Sequence, residues 1–436
     1  MSATAHRPLH ELAAWQAARL LARHEISAVD LTRACLDRIA VREGEVLAFC
    51  HLAADAALAQ ARVLDAGPSR GPLHGLPLGI KDLIDTADMP TTYGSAVYAG
   101  HRPAADAAVV ALCREAGAVL PGKTVSTEFA YFHPGPTRNP RALGAQLHTP
   151  GGSSSGSAAA VADHLLPLAL GTQTAGSIIR PAAYCGVVGY KPTLGRVPRA
   201  GVKSLSETLD VVGGFGRSVQ DVALLGAVLM SDARLLQDLP DLAPRIGLCP
   251  TPEWAQADTD VQAAWALAVA ALGPQAQHLE DAAWPQALPD LVALQKAVMG
   301  FEMARALSHE RLQHRAQLSA RLLDLFEQGM AISGVAHAAN LAATAAARRL
   351  ADAWFDRYDV LLAPSAGGEA PAGLGATGDP LFCRGWTLLG LPCVHLPFAR
   401  GRHGLPVGLQ LIGRAGDDHR LLAAAQWCWA RLTHAA

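Results

Sequence analysis

This sequence has few aromatic residues and no excess of either charge. Phe, Trp and Tyr make up 5% of its 436 residues, and the formal net charge is −2. Nucleic acids and anionic membrane surfaces attract proteins through a strong positive field, so the near-neutral balance argues against both as partners. Half of the residues are hydrophobic. With so few aromatics, this composition is more typical of a helix-rich α/β protein than of a β-sandwich.

The chain also lacks closely paired cysteines and long apolar runs. Its eight cysteines are scattered without CxxC spacing, at positions 35, 50, 113, 185, 249, 383, 393 and 428. This scatter is typical of a reduced, cytoplasmic chain. The N-terminal stretch MSATAHRPLHELAAW has no apolar signal core. No uncharged apolar run approaches the ~20 residues that a membrane-spanning helix needs. We therefore expect a cytoplasmic protein with no membrane partner.

Strand and helix patterns alternate along the chain. Residues 8–65 have helical periodicity, with a helix start at Ser27. Apolar runs at 75–80 and 118–124 predict buried strands, and a helical pattern over 105–117 separates them. Further strands are predicted at 165–170, 358–365, 391–398 and 405–413. The alternation implies a sheet covered by helices. Residues 230–350 are rich in Ala, Leu, Arg and Gln, which predicts a helical, variable lobe with soft boundaries.

Two clusters of glycine and serine flank the apolar run 163–170. The first cluster, at 151–157, reads GGSSSGS, and the second, at 171–177, reads GTQTAGS. Glycine lets backbone amides crowd close to a bound group, and serine supplies hydroxyls that can donate, accept or attack. Two such loops around one core strand can aim Ser153 and Ser177 at one point. The pattern therefore predicts a serine nucleophile beside a pocket of amides that binds an oxyanion.

A lysine stands where such a site needs a base. Lys81 follows the apolar run GLPLGI, where partial desolvation would lower the pKa of its amine. A serine nucleophile is weak alone, and this lysine could activate it directly or through a second hydroxyl. Each element also has an ordinary structural explanation, as a surface lysine, a linker, or a helix cap at Ser177. Their combination in one stretch favours the catalytic interpretation.

These segments together resemble the amidase signature family. The matching motifs are GIKD at 79–82, PGGSSSGSAAAV at 150–161 and GTQTAGSIIRPAAYCGVVGYKPT at 171–193. The spacing from Ser153 to Ser177 also fits the family, since 177 − 153 = 24. The resemblance covers nearly the whole chain and is weakest over 230–350. It implies an α/β fold in which a single domain, 1–436, has one large mixed, twisted sheet flanked by helices on both faces.

The resemblance also assigns roles within the motifs. Ser177 is the implied nucleophile, Ser153 relays its proton from within a cis peptide, and Lys81 is the base. Ser154 would be a partner of Lys81 that does not itself touch the reacting atoms. An acyl-enzyme would form on Ser177 and be hydrolysed by water, with neither metal nor organic cofactor. The implied oxyanion pocket consists of the backbone amides of Thr174, Ala175, Gly176 and Ser177.

Three positions depart from the commoner family motif. Gln173 replaces an aspartate, Ala175 replaces a glycine, and the arginine, Arg180, lies three residues after Ser177 instead of two. These departures are similar to the malonamidase branch of the family. There, an arginine at this offset pairs with the free carboxylate of a short half-amide, and a guanidinium fork suits a planar carboxylate. The alternative is that Arg180 forms a structural ion pair.

The implied function is hydrolysis of a small carboxamide, with malonamate as a candidate substrate. The alternative is the amidase subunit of a tRNA-dependent amidotransferase complex, which shares all three motifs and hands ammonia to a partner. The loop at 152–156 also fits the GxSxG elbow of α/β-hydrolases, but the residues before it make a poor strand. His133, His148 and His164 are expected to be surface or supporting residues and not metal ligands. The oligomeric state is open, although a homodimer is common in such folds.

Overall fold

The computed structural model describes residues 7–435, whose strands form one mixed sheet of eleven strands. The strand order is β1-β3-β2-β4-β6-β5-β10-β11-β9-β7-β8. The strands are β1 (Phe49–Leu52), β2 (Leu78–Lys81), β3 (Gly122–Thr124), β4 (Leu168–Gln173), β5 (Val188–Lys191), β6 (Val211–Gly216), β7 (Arg245–Leu248), β8 (His278–Asp281), β9 (Val360–Pro364), β10 (Cys393–Arg400) and β11 (Pro406–Gly413). β2 pairs in parallel with β3 and β4, whereas β4–β6 and β10–β11 are antiparallel. The predicted α/β fold with a single mixed sheet is confirmed.

Helices cover the sheet, and the side chains of β4 show how. Leu168 and Leu170 belong to one apolar cluster, whereas Ala169 between them packs in another. This alternation is expected of a strand that is buried on both faces. The helices are α1 (Ala14–Ala22), α2 (Ala28–Val46), α3 (Ala54–Asp65), α4 (Ala108–Glu115), α5 (Ser155–Ala162), α6 (Ile179–Cys185), α7 (Val219–Met230), α8 (Thr259–Leu272), α9 (Leu291–Ala306), α10 (Ser308–Gln313), α11 (Ala320–Met330), α12 (Gly334–Asp352), α13 (Leu381–Leu388) and α14 (Asp418–Ala435). Ser27 caps α2, because its hydroxyl accepts a hydrogen bond from the Asp30 amide at 3.0 Å.

Five strands lie outside the sequence prediction, and three of them, β1, β5 and β6, belong to the first half of the chain. β1 interrupts the segment 8–65, which the periodicity assigned entirely to helices, and it pairs with β3 at one edge of the sheet. β5 and β6 lie in the centre of the sheet, yet their short, glycine-containing sequences have no strand alternation. Glycine is needed in β6 because a Cβ at Gly213 would lie 2.2 Å from the carbonyl oxygen of Tyr190. These segments form strands because their backbones pack closely against neighbouring strands, and residue propensities do not reveal such packing.

The segment 230–350 is not helical throughout. β7 and β8 lie within it and extend the sheet in parallel beyond β9. Both strands have only four residues, and most of β8 is exposed at the sheet edge, so no apolar run predicts them. The continuous helical part begins at Leu291 and runs through α9 to α12. The expected boundary at 230 was therefore too early.

Two short helices bring the glycine and serine loops against the sheet. All residues of α5 and α6 are buried. α5 consists of small residues, and a Cβ at Gly156 would lie 2.2 Å from the carbonyl oxygen of Ala48, so only glycine allows this approach. Each loop therefore ends at a helix that packing holds in place. Within residues 7–435, no single helix is long and apolar enough to cross a membrane; α11 and the helical stretch after it meet that test only as a sharply bent pair.

Candidate active site

Lys81 ends β2 and lies completely buried between two hydroxyl groups. Its Nζ donates hydrogen bonds to Ser153 Oγ and to Thr172 Oγ1, each at 2.7 Å. The parallel pairing of β2 with β4 places Lys81 beside Thr172, which lies on β4. Burial lowers the pKa of Lys81 well below its usual range, and the charge of Asp210 opposes this shift only in part. An amine with a lowered pKa can be neutral near pH 7 and can accept a proton.

Ser153 lies in the loop that precedes α5. The peptide bond between Gly152 and Ser153 is cis, as the family resemblance implies. The turn into it needs glycine at position 151, because Gly151 has a φ of +80° and a Cβ there would lie 2.8 Å from Pro181 Cα. The Ser153 hydroxyl therefore reaches Lys81 from a tightly constrained backbone.

Ser177 lies in the turn between β4 and α6, and its hydroxyl does not cap that helix. α6 begins at Ile179 without a side-chain cap at Ile178. The side chain of Gln173 satisfies the first amides of α6 instead, because its Oε1 accepts hydrogen bonds from the amides of Ile178 at 2.8 Å and Ile179 at 3.0 Å. The structural explanation of Ser177 as a helix cap is therefore wrong. Gln173, one of the departures from the family motif, holds the turn instead.

The turn from Thr174 to Ser177 has backbone amides free for a ligand. Among the residues that the structure describes, no acceptor is bonded to the amides of Ala175, Gly176 or Ser177. Position 176 requires glycine, since a Cβ there would lie 2.7 Å from Pro380 Cβ. Ala175 is tolerated because its φ is not positive. The arrangement is compatible with the predicted oxyanion pocket.

Ser153 and Ser177 face a common cavity. It is tight, with a volume of about 10 Å³, and also has Tyr131, Phe132 and Met299 in its wall. This volume is far below the range for most small-molecule sites, about 300–1,000 Å³. A small substrate therefore fits better than a bulky one.

Arg180 contributes a buried positive charge to the wall of this cavity. Its guanidinium donates hydrogen bonds to the carbonyl oxygens of Gly378 at 2.8 Å and Gly152 at 2.7 Å, and to Thr377 Oγ1 at 3.2 Å. All three partners are neutral, and its Nε has no partner within residues 7–435. Burial lowers the pKa of Arg180 to about 10, so the side chain stays charged at neutral pH. The alternative of a structural ion pair is not observed in the described part of the chain.

Ser154 supports Lys81 only indirectly. Its hydroxyl donates to the carbonyl oxygen of Thr172 and accepts from the Thr172 amide, both at 3.3 Å. Lys81 is bonded to the side chain of Thr172, which lies within the motif at 171–193 but received no predicted role. Asp210 was also missed; its carboxylate accepts from Thr174 Oγ1 at 2.5 Å and is buried near Lys81. Asp210 belongs to no local pattern that would have revealed its position.

The histidines near the site have structural environments. His148 Nδ1 lies 2.6 Å from the carbonyl oxygen of Ala370, and burial lowers the pKa of His164 to about 3. Across residues 7–435, no group of three or more His, Cys, Asp or Glu side chains is arranged to hold a metal ion.

Comparison with known proteins identifies the family. Residues 30–422 match the sequence model of a family described as Amidase. The chain belongs to the amidase family. A glutamyl-tRNA(Gln) amidotransferase subunit of Cereibacter sphaeroides is 35% identical to it over 473 residues, covering 95% of each chain. A crystal structure of an amidase is 30% identical with a TM-score of 0.87, covering 96% of this chain and all of the other. The peptide amidase of Stenotrophomonas maltophilia is 30% identical with a TM-score of 0.82, covering 98% of each chain.

These similarities make the protein an enzyme that hydrolyses C–N amide bonds. They confirm the family that the three motifs indicated. Two of the matched relatives are named as subunits of an amidotransferase, so the predicted malonamidase branch is not confirmed. The roles of individual residues and the identity of the substrate remain proposals.

Proposed function

We propose that this amidase cleaves a small carboxamide through Ser177, with Ser153 and Lys81 moving the proton. The 2.7 Å hydrogen bond between Lys81 and Ser153 and the lowered pKa of Lys81 support this assignment. Neutral Lys81 takes the proton of Ser153 while Ser153 takes that of Ser177, whose Oγ bonds to the carbonyl carbon. The C–N bond then breaks as the nitrogen receives the proton, and water hydrolyses the acyl-enzyme by the same route in reverse.

We also propose that the substrate carries a carboxylate that binds Arg180. The single observation behind this proposal is that a completely buried guanidinium on the cavity wall has only neutral partners. A buried charge without compensation is costly, and an anionic ligand would compensate it. A planar carboxylate suits the guanidinium fork, and the small cavity favours a short acid amide such as malonamate.

The test is ammonia release by the purified chain from malonamate and from its methyl ester, which has the same amide but no charge. We expect the wild-type protein to prefer malonamate. Arg180→Gln should lower kcat/KM for malonamate by about 10- to 100-fold, in line with a loss of 1.5–3 kcal/mol for a hydrogen bond to a charged group. It should change the value for the ester much less. Equal losses on both substrates would contradict the carboxylate site, and Ser177→Ala should abolish turnover of both.

A second function is favoured by the relatives. The sequence is 35% identical, over 95% of its length, to chains named as glutamyl-tRNA(Gln) amidotransferase subunits. This likeness supports the amidotransferase alternative better than it supports malonamate. In that role, the same serines would release ammonia for a partner protein that uses it on tRNA-linked glutamate.

Partner dependence separates the two functions. The chain should be produced in cells that also make its natural partner proteins and isolated by a mild affinity step. It should then be tested for ammonia release with and without any retained partner. Release by the isolated chain at an unchanged rate supports the stand-alone hydrolase. A rate that rises only when a partner and glutamyl-tRNA are present supports the amidotransferase role.

A further inference from the structure

The turn that carries Ser177 is held from outside the cavity by two side chains from distant helices. Gln295, on α9, donates from its Nε2 to the carbonyl oxygen of Thr174 at 3.0 Å. Thr387, on α13, donates from its Oγ1 to the carbonyl oxygen of Ala175 at 2.7 Å. Consecutive carbonyl groups of the turn are therefore each fixed by a hydrogen bond to a buried side chain.

Fixing these carbonyl groups also fixes two amides. A trans peptide unit is planar, and its C=O and N–H bonds point in opposite directions. The Thr174 carbonyl shares its plane with the Ala175 amide, and the Ala175 carbonyl shares its plane with the Gly176 amide. Because both carbonyls are held towards the helices, both amides point the other way. Within residues 7–435 neither amide has an acceptor, and Ala175 lies in the cavity wall beside Ser177.

The two side chains are themselves held in place. Arg384 Nη1 donates to Gln295 Oε1 at 2.6 Å, which orients the amide group so that Nε2 faces Thr174. Gln173 Nε2 donates to Thr387 Oγ1 at 2.9 Å, so the hydroxyl proton of Thr387 is directed to Ala175. These bonds are buried, where few competing waters can replace a lost partner.

We propose that Gln295 and Thr387 are positioning residues that aim the Ala175 and Gly176 amides at the oxyanion of the tetrahedral intermediate. The inference rests on the proposed role of Ser177 as nucleophile. Neither side chain touches the reacting atoms, so each acts only through the backbone of the turn. Preorganised donors stabilise the charge that develops in the transition state, and a misaligned donor loses much of this effect. Losing either side chain should therefore lower the rate of acylation more than the affinity for substrate.

The decisive variant is Thr387→Val, which keeps the shape of the side chain and removes the hydroxyl. Its partner is Thr387→Ser, which keeps the hydroxyl. The matched control is Thr344→Val, because Thr344 is also buried and donates to a backbone carbonyl, that of Asn340, within α12 and away from the cavity. Gln295→Met tests the second anchor. Thermal unfolding of every variant confirms that the protein is folded.

The readout does not depend on knowing the natural substrate. A fluorophosphonate probe reacts with an activated serine: Oγ bonds to phosphorus, fluoride leaves with the serine proton, and the phosphoryl oxygen occupies the oxyanion pocket. We expect Thr387→Val and Gln295→Met to slow labelling by about 10-fold or more, against the 10²- to 10³-fold loss when a direct oxyanion donor is removed. Thr387→Ser and Thr344→Val should label within about twofold of the wild-type rate.

Each outcome bears on one proposal. Wild-type labelling that survives in Ser177→Ala would overturn the proposed function itself. Labelling that needs Ser177 but proceeds equally fast in folded Thr387→Val and Gln295→Met would overturn the positioning role alone. With an amide substrate, the same two variants should lower kcat with KM within about twofold of wild type. A rise in KM at unchanged kcat would also overturn the positioning role.

Discussion

Replacing Lys81 with methionine is the sharpest test of the proton relay. Methionine has a similar length but cannot accept a proton, so Lys81→Met removes the base from both serines. A positioned general base contributes about 10²- to 10⁴-fold to a rate. Lys81 is held at 2.7 Å from Ser153, and the described residues offer Ser153 no other basic partner. We expect kcat to fall by about 10³-fold or more, which corresponds to about 4 kcal/mol in the activation barrier.

The same substitution should affect stability in a way that depends on pH. The folded protein lowers the pKa of Lys81, whereas the unfolded chain keeps it near 10.5. Below pH 10.5 the unfolded chain therefore binds a proton more readily than the folded protein, which destabilises the folded protein. This cost grows as the pH falls and is complete below the folded pKa of Lys81. Lys81→Met removes that cost but also loses two hydrogen bonds, worth about 1 kcal/mol each. The stability of the variant relative to wild type should therefore decline as the pH rises from the folded pKa of Lys81 towards 10.5.

The assays are ammonia release, fluorophosphonate labelling and denaturant unfolding at pH 7 and pH 10. The control is Lys123→Met, since Lys123 is also buried, lies on neighbouring β3, and donates to Ile84 O at 2.5 Å and Thr91 Oγ1 at 2.6 Å. It should destabilise the protein and leave the kcat of the folded fraction within a few-fold of wild type. A Lys81→Met protein that keeps more than a tenth of the wild-type kcat would refute the role of Lys81 as base.

Two further predictions concern the surroundings of the turn and of Lys81. Gly176→Ala places a Cβ 2.7 Å from Pro380 and 3.0 Å from Cys383 Cβ, so it should displace the turn and lower the labelling rate of Ser177 by about 10-fold or more, measured on folded protein. An unchanged rate would show that the turn has room to relax. Asp210→Asn removes the charge that raises the pKa of Lys81, so the acidic limb of the rate–pH profile should move to lower pH. A limb that stays in place, or moves to higher pH, would contradict the electrostatic coupling between Asp210 and Lys81.

Much of the site could be predicted because its parts are local in sequence. Lys81 follows an apolar strand, and Ser153 and Ser177 lie in glycine-rich loops at the spacing of a known motif. Gly176 is part of the local motif, although the contact that excludes a side chain there, with Pro380, is tertiary. The roles assigned to Lys81, Ser153 and Ser177 stay predictions, although the structure brings all three residues to one place.

The sheet was predicted less evenly. Apolar runs revealed β2, β9, β10 and β11, because strands buried on both faces are continuously hydrophobic. β4 was also found, but it begins at Leu168 and extends to Gln173, three residues beyond the predicted range. Its last residues are polar, and they form the strand because β6 pairs with them. The short strands β7 and β8 were missed because pairing, and not their own sequence, makes them strands: β7 pairs with β9, and β8 pairs with β7.

By itself, the sequence determined the family, the longer buried strands and the residues proposed for the proton relay, because each depends on a short, continuous pattern. Only the tertiary structure decided what surrounds those residues. Gln295 meets Thr174 across 121 positions of sequence, and Thr387 meets Ala175 across 212. Such contacts join single residues of ordinary type, so no local pattern marks them. They arise because the packing of α9 and α13 brings two polar side chains to a turn that needs its carbonyl groups held.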